Sequence, residues 1–194
     1  MKMSVSVLKE KIRFTYKDYL SLPDDGKRYQ VIEGEISMVP APAPYHQDIL
    51  WKLLVLLRIF VEERGLGRVY FAPCDVVLSE EDIVQPDIFF IAKEREHIIT
   101  EKNIQGAPDL VIEILSPFTA KLDKTAKLKL YERSGVKEYW LVDPDREEIE
   151  VLTLKRKSYK STGIFGIEHS FESGLLKGLM IRVKDIFSSL RAQR

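Results

Sequence analysis

The fold is decided by the stretch Leu110-Val111-Ile112-Glu113-Ile114-Leu115, an apolar run with one carboxylate inside it. A run that is apolar on both faces of an extended chain is typical of a central strand in a sheet covered on both sides. Residues 84–91 contain a second such run, Ile88-Phe89-Phe90-Ile91. The two runs therefore predict neighbouring central strands of an α/β domain.

Residues 45–64 predict a long amphipathic helix beside this sheet. Its apolar side chains recur at helical spacing, at Leu50, Leu53, Leu54, Leu57, Phe60 and Val61. Gly65 predicts the end of the helix, because glycine readily takes the left-handed conformation that closes one. A second helix is expected over residues 120–133, begun by Thr119 and ended by Gly135.

The other segments complete a mixed order of strands and helices. Residues 69–78 predict a strand in which Pro73 marks an edge or a bulge. Further strands are expected at residues 29–38, as a hairpin around Gly34, and at residues 138–142, 149–154 and 181–190, the last leading into a short helix. We therefore expect one α/β domain over residues 1–194, with an αβββαβ core at about residues 45–155 and an N-terminal β extension.

Composition excludes several classes of protein. Basic and acidic side chains number 30 each, so the chain has no global positive field, and binding to nucleic acid would need a local patch. The single cysteine, Cys74, allows neither an intramolecular disulfide nor a cysteine-based zinc site. The longest apolar stretch is too short to span a membrane, and residues 1–14 lack the apolar region of a secretory signal. We expect a cytoplasmic protein without membrane contact.

Two acidic residues are the main candidates for a functional site. Glu113 interrupts an apolar strand, where a carboxylate persists mainly when it is paired, hydrogen-bonded or bound to a cation. The alternative is a glutamate at a strand end that pairs with a nearby lysine. Asp87 follows Pro86 at the start of the other central strand. An aspartate at this position is equally well explained as an ordinary turn residue.

Carboxylates on neighbouring strands can hold Mg²⁺ or Mn²⁺, which would activate a phosphoryl group and a water molecule. Lys127 is the basic candidate, because the helix that follows the Glu113 strand places Asp123, Lys127 and Tyr131 on one face. The same spacing also describes a surface ion pair between Asp123 and Lys127. We expect Lys127 to be exposed, so that Lys127→Ala should abolish most cleavage while leaving folding and metal affinity nearly intact.

Four motifs follow one another along the chain, and any one alone would be a weak signal. They are Gln85-Pro86-Asp87, DLVIEILSP at residues 109–117, Asp123 with Lys127 and Tyr131, and GVKEYWLVDP at residues 135–144. Together they resemble the Uma2 family of restriction-endonuclease-like proteins, within the PD-(D/E)XK nuclease superfamily. Residues 29–38, 42–47 and 176–179 extend the resemblance over almost the whole chain.

The resemblance implies a restriction-endonuclease-like mixed central sheet flanked by helices, and Mg²⁺- or Mn²⁺-dependent cleavage of a nucleic acid, with DNA the favoured substrate. It implies that Asp87 and Glu113 are catalytic, metal-binding acids. One departure concerns Leu115, which occupies the position of the superfamily's lysine. The resemblance implies that Lys127 supplies this catalytic charge instead. A second departure is Gln30, where relatives often carry an acid.

Further residues are supporting candidates. His46 precedes the first long helix, where a capping or packing role is the simpler explanation, and Asp75 could be a third acid near the metal or a bulge residue. Gln85 and Asp123 belong to the motifs above. Two lysine-rich groups, either phosphate contacts or solvated surfaces, are Lys121, Lys124, Lys127 and Lys129, and Lys155, Arg156, Lys157 and Lys160.

Two functions therefore remain open. The first is a metal-dependent endonuclease, compatible with a homodimer because enzymes that cut both strands often pair. The second is a catalytically inactive, nuclease-like module that binds nucleic acid or protein, since a fold does not establish a reaction.

Overall fold

The computed structural model describes residues 12–188, and all structural statements below concern that range. Its strands are β1 (Arg28–Ile32), β2 (Glu35–Val39), β3 (Gly67–Phe71), β4 (Val76–Ser79), β5 (Asp82–Val84), β6 (Ile88–Ala92), β7 (Ile104–Gln105), β8 (Leu110–Ile114), β9 (Glu138–Asp143), β10 (Glu148–Lys155), β11 (Ser158–Gly166), β12 (Ser170–Glu172) and β13 (Met180–Arg182). Its helices are α1 (Tyr16–Tyr19), α2 (Pro44–Arg64), α3 (Ala120–Leu122), α4 (Leu128–Ser134) and α5 (Val183–Phe187), with a 3₁₀ turn at Lys93–Ile98 and a π-helical segment at Asp123–Lys127.

A six-stranded sheet forms the centre, in the order β11-β10-β9-β8-β6-β3. Strands β8 and β9 are parallel, and the other neighbours are antiparallel. The predicted central position of β6 and β8 is confirmed, and every residue of β8 is buried. Strand β3 lies at the edge, as Pro73 predicts.

A second sheet has the order β2-β1-β5-β4-β7 and contains the predicted hairpin of residues 29–38. The prediction of one strand over residues 69–78 is wrong, because β3 belongs to the central sheet and β4 to the second sheet. Pro73 has no N–H to donate, which favours the break between them. Val84 likewise lies in β5, and Gln85-Pro86-Asp87 carries the chain back to the central sheet.

Each face of the central sheet carries its own apolar core. On one face α2 packs its buried leucines against β6, β8 and β9, together with the C-terminal strands and α5. On the other face β6, β8 and β9 pack against α4 and residues of the second sheet, such as Val76 and Val84. The structure thus confirms the predicted mixed sheet flanked by helices, and no helix among residues 12–188 is long and apolar enough to cross a membrane.

The helix expected after β8 covers residues 120–134, and Gly135 ends it in the left-handed conformation, as predicted. Its start and middle differ from expectation. Thr119 precedes the helix but its side chain makes no capping hydrogen bond. The π-helical segment Asp123–Lys127, which sequence periodicity does not indicate, interrupts the α-helix where the candidate site residues stand.

The C-terminal part adds strands that the sequence analysis did not predict. Strand β11 pairs with β10 as a hairpin, and β12 pairs with β13. The predicted strand leading into a helix is confirmed as β13 and α5, while residues 189–190 of that prediction lie outside the described range.

Candidate active site

A cleft of about 250 Å³ lies at the end of the central sheet where β8 finishes and β6 begins. One wall is formed by residues 39–43, which follow the β1–β2 hairpin, and the other by residues 114–119, which follow β8. Asp87, Glu113 and Lys127 all line it. The structure therefore brings together the three residues that the sequence analysis placed in one site.

Asp87 is held rigidly at the start of β6. Its Oδ2 accepts a hydrogen bond of 2.8 Å from the Ile114 amide and lies 3.2 Å from Nε2 of His46. The Asp87 side chain is 18% exposed, so it faces the cleft while its backbone stays in the fold. His46 stands in the first turn of α2, and its contact with Asp87 is a more specific role than the capping role weighed from sequence.

Glu113 is almost completely buried, with 3% of its surface exposed. Its Oε1 accepts hydrogen bonds of 2.9 Å from Lys127 Nζ and 2.7 Å from the Tyr131 hydroxyl. Burial raises the pKa of Glu113 to about 8. The positive charge of Lys127 lowers this pKa, whereas the nearby charges of Asp123 and Asp87 raise it further. A cation placed in the cleft would therefore favour the ionised form of this carboxyl group.

Lys127 is buried, with 5% of its surface exposed, and it ion-pairs with Glu113 and, at 3.0 Å, with Asp123. The alternative of a surface ion pair is therefore wrong, as is the expectation that Lys127 is exposed. Burial disfavours its ammonium group, but attraction to Glu113 and Asp123 outweighs this and raises the pKa of Lys127 above its ordinary value. Lys127 thus carries a positive charge at neutral pH.

Acidic side chains outnumber basic ones at and behind this end of the cleft, because Asp87, Glu113 and Asp123 all lie near the Lys127 ammonium group. Among residues 12–188, no group of three or more His, Cys, Asp or Glu side chains is arranged to hold a metal ion. Two cleft carboxylates nevertheless fit Mg²⁺, which typically takes one or two carboxylates and keeps several of its waters. Zinc, which favours a full set of nitrogen or sulfur ligands, does not fit this donor set.

The supporting candidates lie at different distances from the cleft. Gln85 lines it, and its Nε2 donates a 2.8 Å hydrogen bond to Oδ1 of Asp75. Asp75 also accepts a hydrogen bond from the Tyr19 hydroxyl and does not line the cleft, so its connection to the site runs through Gln85. Gln30 is buried in the second sheet, where its Nε2 donates to Ser37.

The two lysine-rich groups differ in burial and in their position relative to the cleft. Lys124 reaches Asp143 and Lys127 is buried, so this group does not form one solvated surface. The group Lys155, Arg156, Lys157 and Lys160 occupies the β10–β11 hairpin. This hairpin lies beside the Leu110 end of the sheet, whereas the cleft lies at the Ile114 end, because β10 runs antiparallel to β9 and β9 parallel to β8.

Sequence reasoning missed two residues of the cleft. Arg28 in β1 lines it and donates a 3.1 Å hydrogen bond to the Pro40 carbonyl. Phe118 stands on its rim with 84% of its surface exposed. No local pattern marks Arg28, because only the packing of the second sheet brings it here. Phe118 could have been noticed from sequence, because it is a large apolar residue in the polar segment just before a helix, where no buried strand or helix face accounts for it.

Comparisons with known proteins bear on the family and on the fold. A family model described as "Uma2: Putative restriction endonuclease" matches residues 16–184. The uncharacterized protein sll1609 of Synechocystis is 25% identical over 132 residues, which span 66% of this chain and 74% of the relative. A crystal structure described as a putative nuclease belonging to DUF820, from Anabaena variabilis, superposes with a TM-score of 0.77 at 23% identity, covering 90% of this chain and 98% of the other. At that identity the likeness concerns the fold.

Proposed function

Because this chain belongs to the Uma2 family, we propose that it is a Mg²⁺-dependent endonuclease that hydrolyses phosphodiester bonds of nucleic acid, with DNA as its substrate. The observation that carries the proposal is the grouping of three acidic side chains, Asp87, Glu113 and Asp123, around one buried lysine. A divalent cation would favour the ionised form of these acids and, at the same time, attract a phosphate. Mn²⁺ satisfies the same oxygen ligands.

Asp87 and Glu113 would hold the cation, which when bound supplies Lewis-acid activation of the phosphate and of the attacking water. The chain fixes both ligands in advance: the Ile114 amide and His46 orient Asp87, and Tyr131 and Lys127 orient Glu113. Such preorganisation lowers the cost of reaching the transition state.

Hydrolysis forms a bond between the water oxygen and phosphorus and breaks the bond from phosphorus to one sugar oxygen. One hydrogen of the water stays on the new phosphomonoester or is lost to solvent, and the other passes to the leaving sugar oxygen. The Lys127 ammonium stands at the Glu113 carboxylate and can offset the charge that grows on the phosphate. Arg28, on the facing wall, can bind a non-bridging phosphate oxygen.

The alternative is an inactive, nuclease-like binding module. One observation favours it: the ammonium group of Lys127 is already held by Glu113 and Asp123 rather than directed at an open position. The two functions differ in whether the cleft binds a divalent cation and whether cleavage depends on it.

Cleavage of supercoiled plasmid and of single-stranded DNA, each with and without Mg²⁺, together with calorimetric titration of Mg²⁺, tests the proposal. We expect cleavage only with Mg²⁺ or Mn²⁺, and loss of both cleavage and Mg²⁺ binding in the double variant Asp87→Asn/Glu113→Gln. Glu150→Gln, which neutralises a carboxylate on β10 away from the cleft, is the matched control. Mg²⁺ binding by the double variant at the parental affinity would refute the metal site, and metal binding without cleavage of either DNA would favour the inactive module.

A further inference from the structure

We propose that the cleft takes an unpaired nucleobase of single-stranded DNA, which stacks on Phe118, and that the substrate is therefore a single strand rather than an intact duplex. The proposal rests on the proposed function, because it names the substrate class of the same site. Three features of the described chain carry it: the depth of the acids, the apolar walls with few cations, and the exposed aromatic ring on the rim.

The acids lie too deep for a duplex. Glu113 is 3% exposed and the Asp87 side chain 18% exposed, and both line a cleft of about 250 Å³. The phosphates of duplex DNA lie on the surface of a double helix that is far too large to enter a space of this volume. A flexible single strand can instead bend one nucleotide inward and bring its phosphate to the acids.

The walls of the cleft are apolar rather than cationic. Much of the lining consists of small apolar and proline side chains, namely Val39, Pro40, Ala41, Pro42, Ala43 and Pro117. The cations that line the cleft are Arg28 and Lys127, and Lys127 is paired with two carboxylates. Duplex binding normally uses several phosphate contacts from Lys and Arg, and the basic β10–β11 hairpin lies at the opposite end of the sheet.

Phe118 offers a stacking surface. Its ring is 84% exposed in the segment between β8 and α3. That segment is fixed by its own hydrogen bonds: the Thr119 amide donates to Ser116 Oγ at 3.2 Å, and the Ala120 amide to the Ser116 carbonyl at 2.9 Å. The ring is therefore presented to solvent by an ordered turn. Bases of single strands stack on such aromatic rings with little dependence on sequence.

One polar side chain of the cleft lining, Gln85, is incompletely hydrogen-bonded. Gln85 uses Nε2 to bind Asp75, while its buried Oε1 has no hydrogen-bond partner in the described structure. A buried acceptor without a partner costs free energy that a donor on the ligand would recover. Exocyclic amino groups of unpaired adenine, cytosine and guanine are donors of this kind.

Binding of a short single-stranded oligonucleotide, compared with a duplex of the same sequence, tests the proposal. Fluorescence anisotropy with Ca²⁺ in place of Mg²⁺ gives the affinities, and gels run afterwards verify that the strands stay intact. We expect the single strand to bind at least about tenfold more tightly than the duplex, and Phe118→Ala to weaken single-strand binding about tenfold or more. Phe118→Trp should preserve binding, because indole also stacks.

Two further readouts separate stacking from general effects. Base stacking should quench the fluorescence that Phe118→Trp adds over the parent protein, whereas Ile164→Trp should show no quenching. Ile164 is exposed on β11, three strands from Glu113 and thus roughly 14 Å away. Equal or tighter binding of the duplex, or unchanged binding by Phe118→Ala, would overturn the inference. Single-strand binding that depends on Phe118 but is never followed by cleavage with Mg²⁺ would instead refute the nuclease proposal and leave the inference standing.

Discussion

Two buried glutamates on neighbouring strands, Glu113 in β8 and Glu138 in β9, have the same side chain in opposite settings. Glu138 is 1% exposed, and both its oxygens are used. Its Oε1 accepts from Trp140 Nε1 at 2.7 Å and from Ser173 Oγ at 2.9 Å, and its Oε2 from the Leu175 amide at 2.9 Å. These three donors are uncharged and fasten the C-terminal segment to the sheet.

Glu113 receives both of its hydrogen bonds on Oε1, and one donor is the charged Lys127. It also lines the cleft and lies near two further carboxylates, whereas Glu138 does not line it. Burial of a glutamate in an apolar strand therefore does not by itself indicate function. The distinguishing features are the cationic partner, the neighbouring acids and the contact with a cavity.

The largest expected effect separates these two residues directly. Glu113→Gln should lower Mg²⁺-dependent cleavage on the order of a hundredfold or more, since it removes a preorganised charge at the reaction centre. Glu138→Gln should leave cleavage near the parental rate and lower the free energy of unfolding by about 1–3 kcal/mol, because its amide nitrogen would face a donor. Nicking rates and urea unfolding of both variants measure the contrast. Equal loss of activity in the two would break the comparison.

Lys127→Met should combine both kinds of effect. Cleavage should fall on the order of a hundredfold if the ammonium stabilises the transition state. The free energy of unfolding should fall by about 3 kcal/mol, because Glu113 and Asp123 would stay buried without their cation.

Urea unfolding and cleavage of single-stranded and plasmid DNA measure both losses for Lys127→Met. Lys124→Met is the control, since Lys124 pairs with Asp143 at 3.5 Å and is 45% exposed, which should make its loss cost below about 1 kcal/mol. Parental activity in Lys127→Met would remove Lys127 from the mechanism.

Asp109, just before β8, extends the comparison to a buried carboxylate of a third kind. Burial alone would raise the pKa of Asp109, but the Ala92 amide, Lys137 and Arg95 hold it below its ordinary value of 3.8. Such a group binds fewer protons in the folded than in the unfolded state. Its stabilisation is therefore complete above its unfolded pKa and is lost as the pH falls through the folded value.

The smallest expected effect follows from the lowered pKa of Asp109 in the folded state. The free energy of unfolding should decline as the pH drops below about 4, and Asp109→Asn should show a shallower decline over the same range. Urea titrations at several acidic pH values compare the slopes, with Glu150→Gln as the control. An unchanged slope in Asp109→Asn would show that other carboxylates govern acid unfolding.

The two central strands, the two long helices and the place of Asp87 and Glu113 in one cleft could be predicted because their signals are local. Glu113 stood out within an apolar run, and helical periodicity placed Lys127 on the facing helix. The burial of Lys127 could not be predicted, because the π-helical segment and the packing of α4 on the sheet are tertiary effects. The same pattern of residues would describe an exposed ion pair on an isolated helix.

The second sheet could not be predicted from the sequence either. Residues 69–78 look like one strand, yet the chain leaves the central sheet after Phe71 and enters the second sheet at Val76. Which sheet a short strand joins depends on its neighbours rather than on its own residues. Arg28 escaped notice for the same reason, since its place in the cleft depends on where β1 packs.

The chain passes between the two sheets five times, at residues 40–66 through α2, 72–75, 85–87, 93–103 and 106–109. Asp87 lies within one of these passages, and Arg28 and Glu113 belong to different sheets that meet only when both have docked. An intermediate with a complete central sheet and a detached second sheet would keep Glu113 and Lys127 but lose Arg28 from the opposite wall. Catalysis by this architecture would therefore report whether the two sheets have docked, more directly than any measurement of secondary structure.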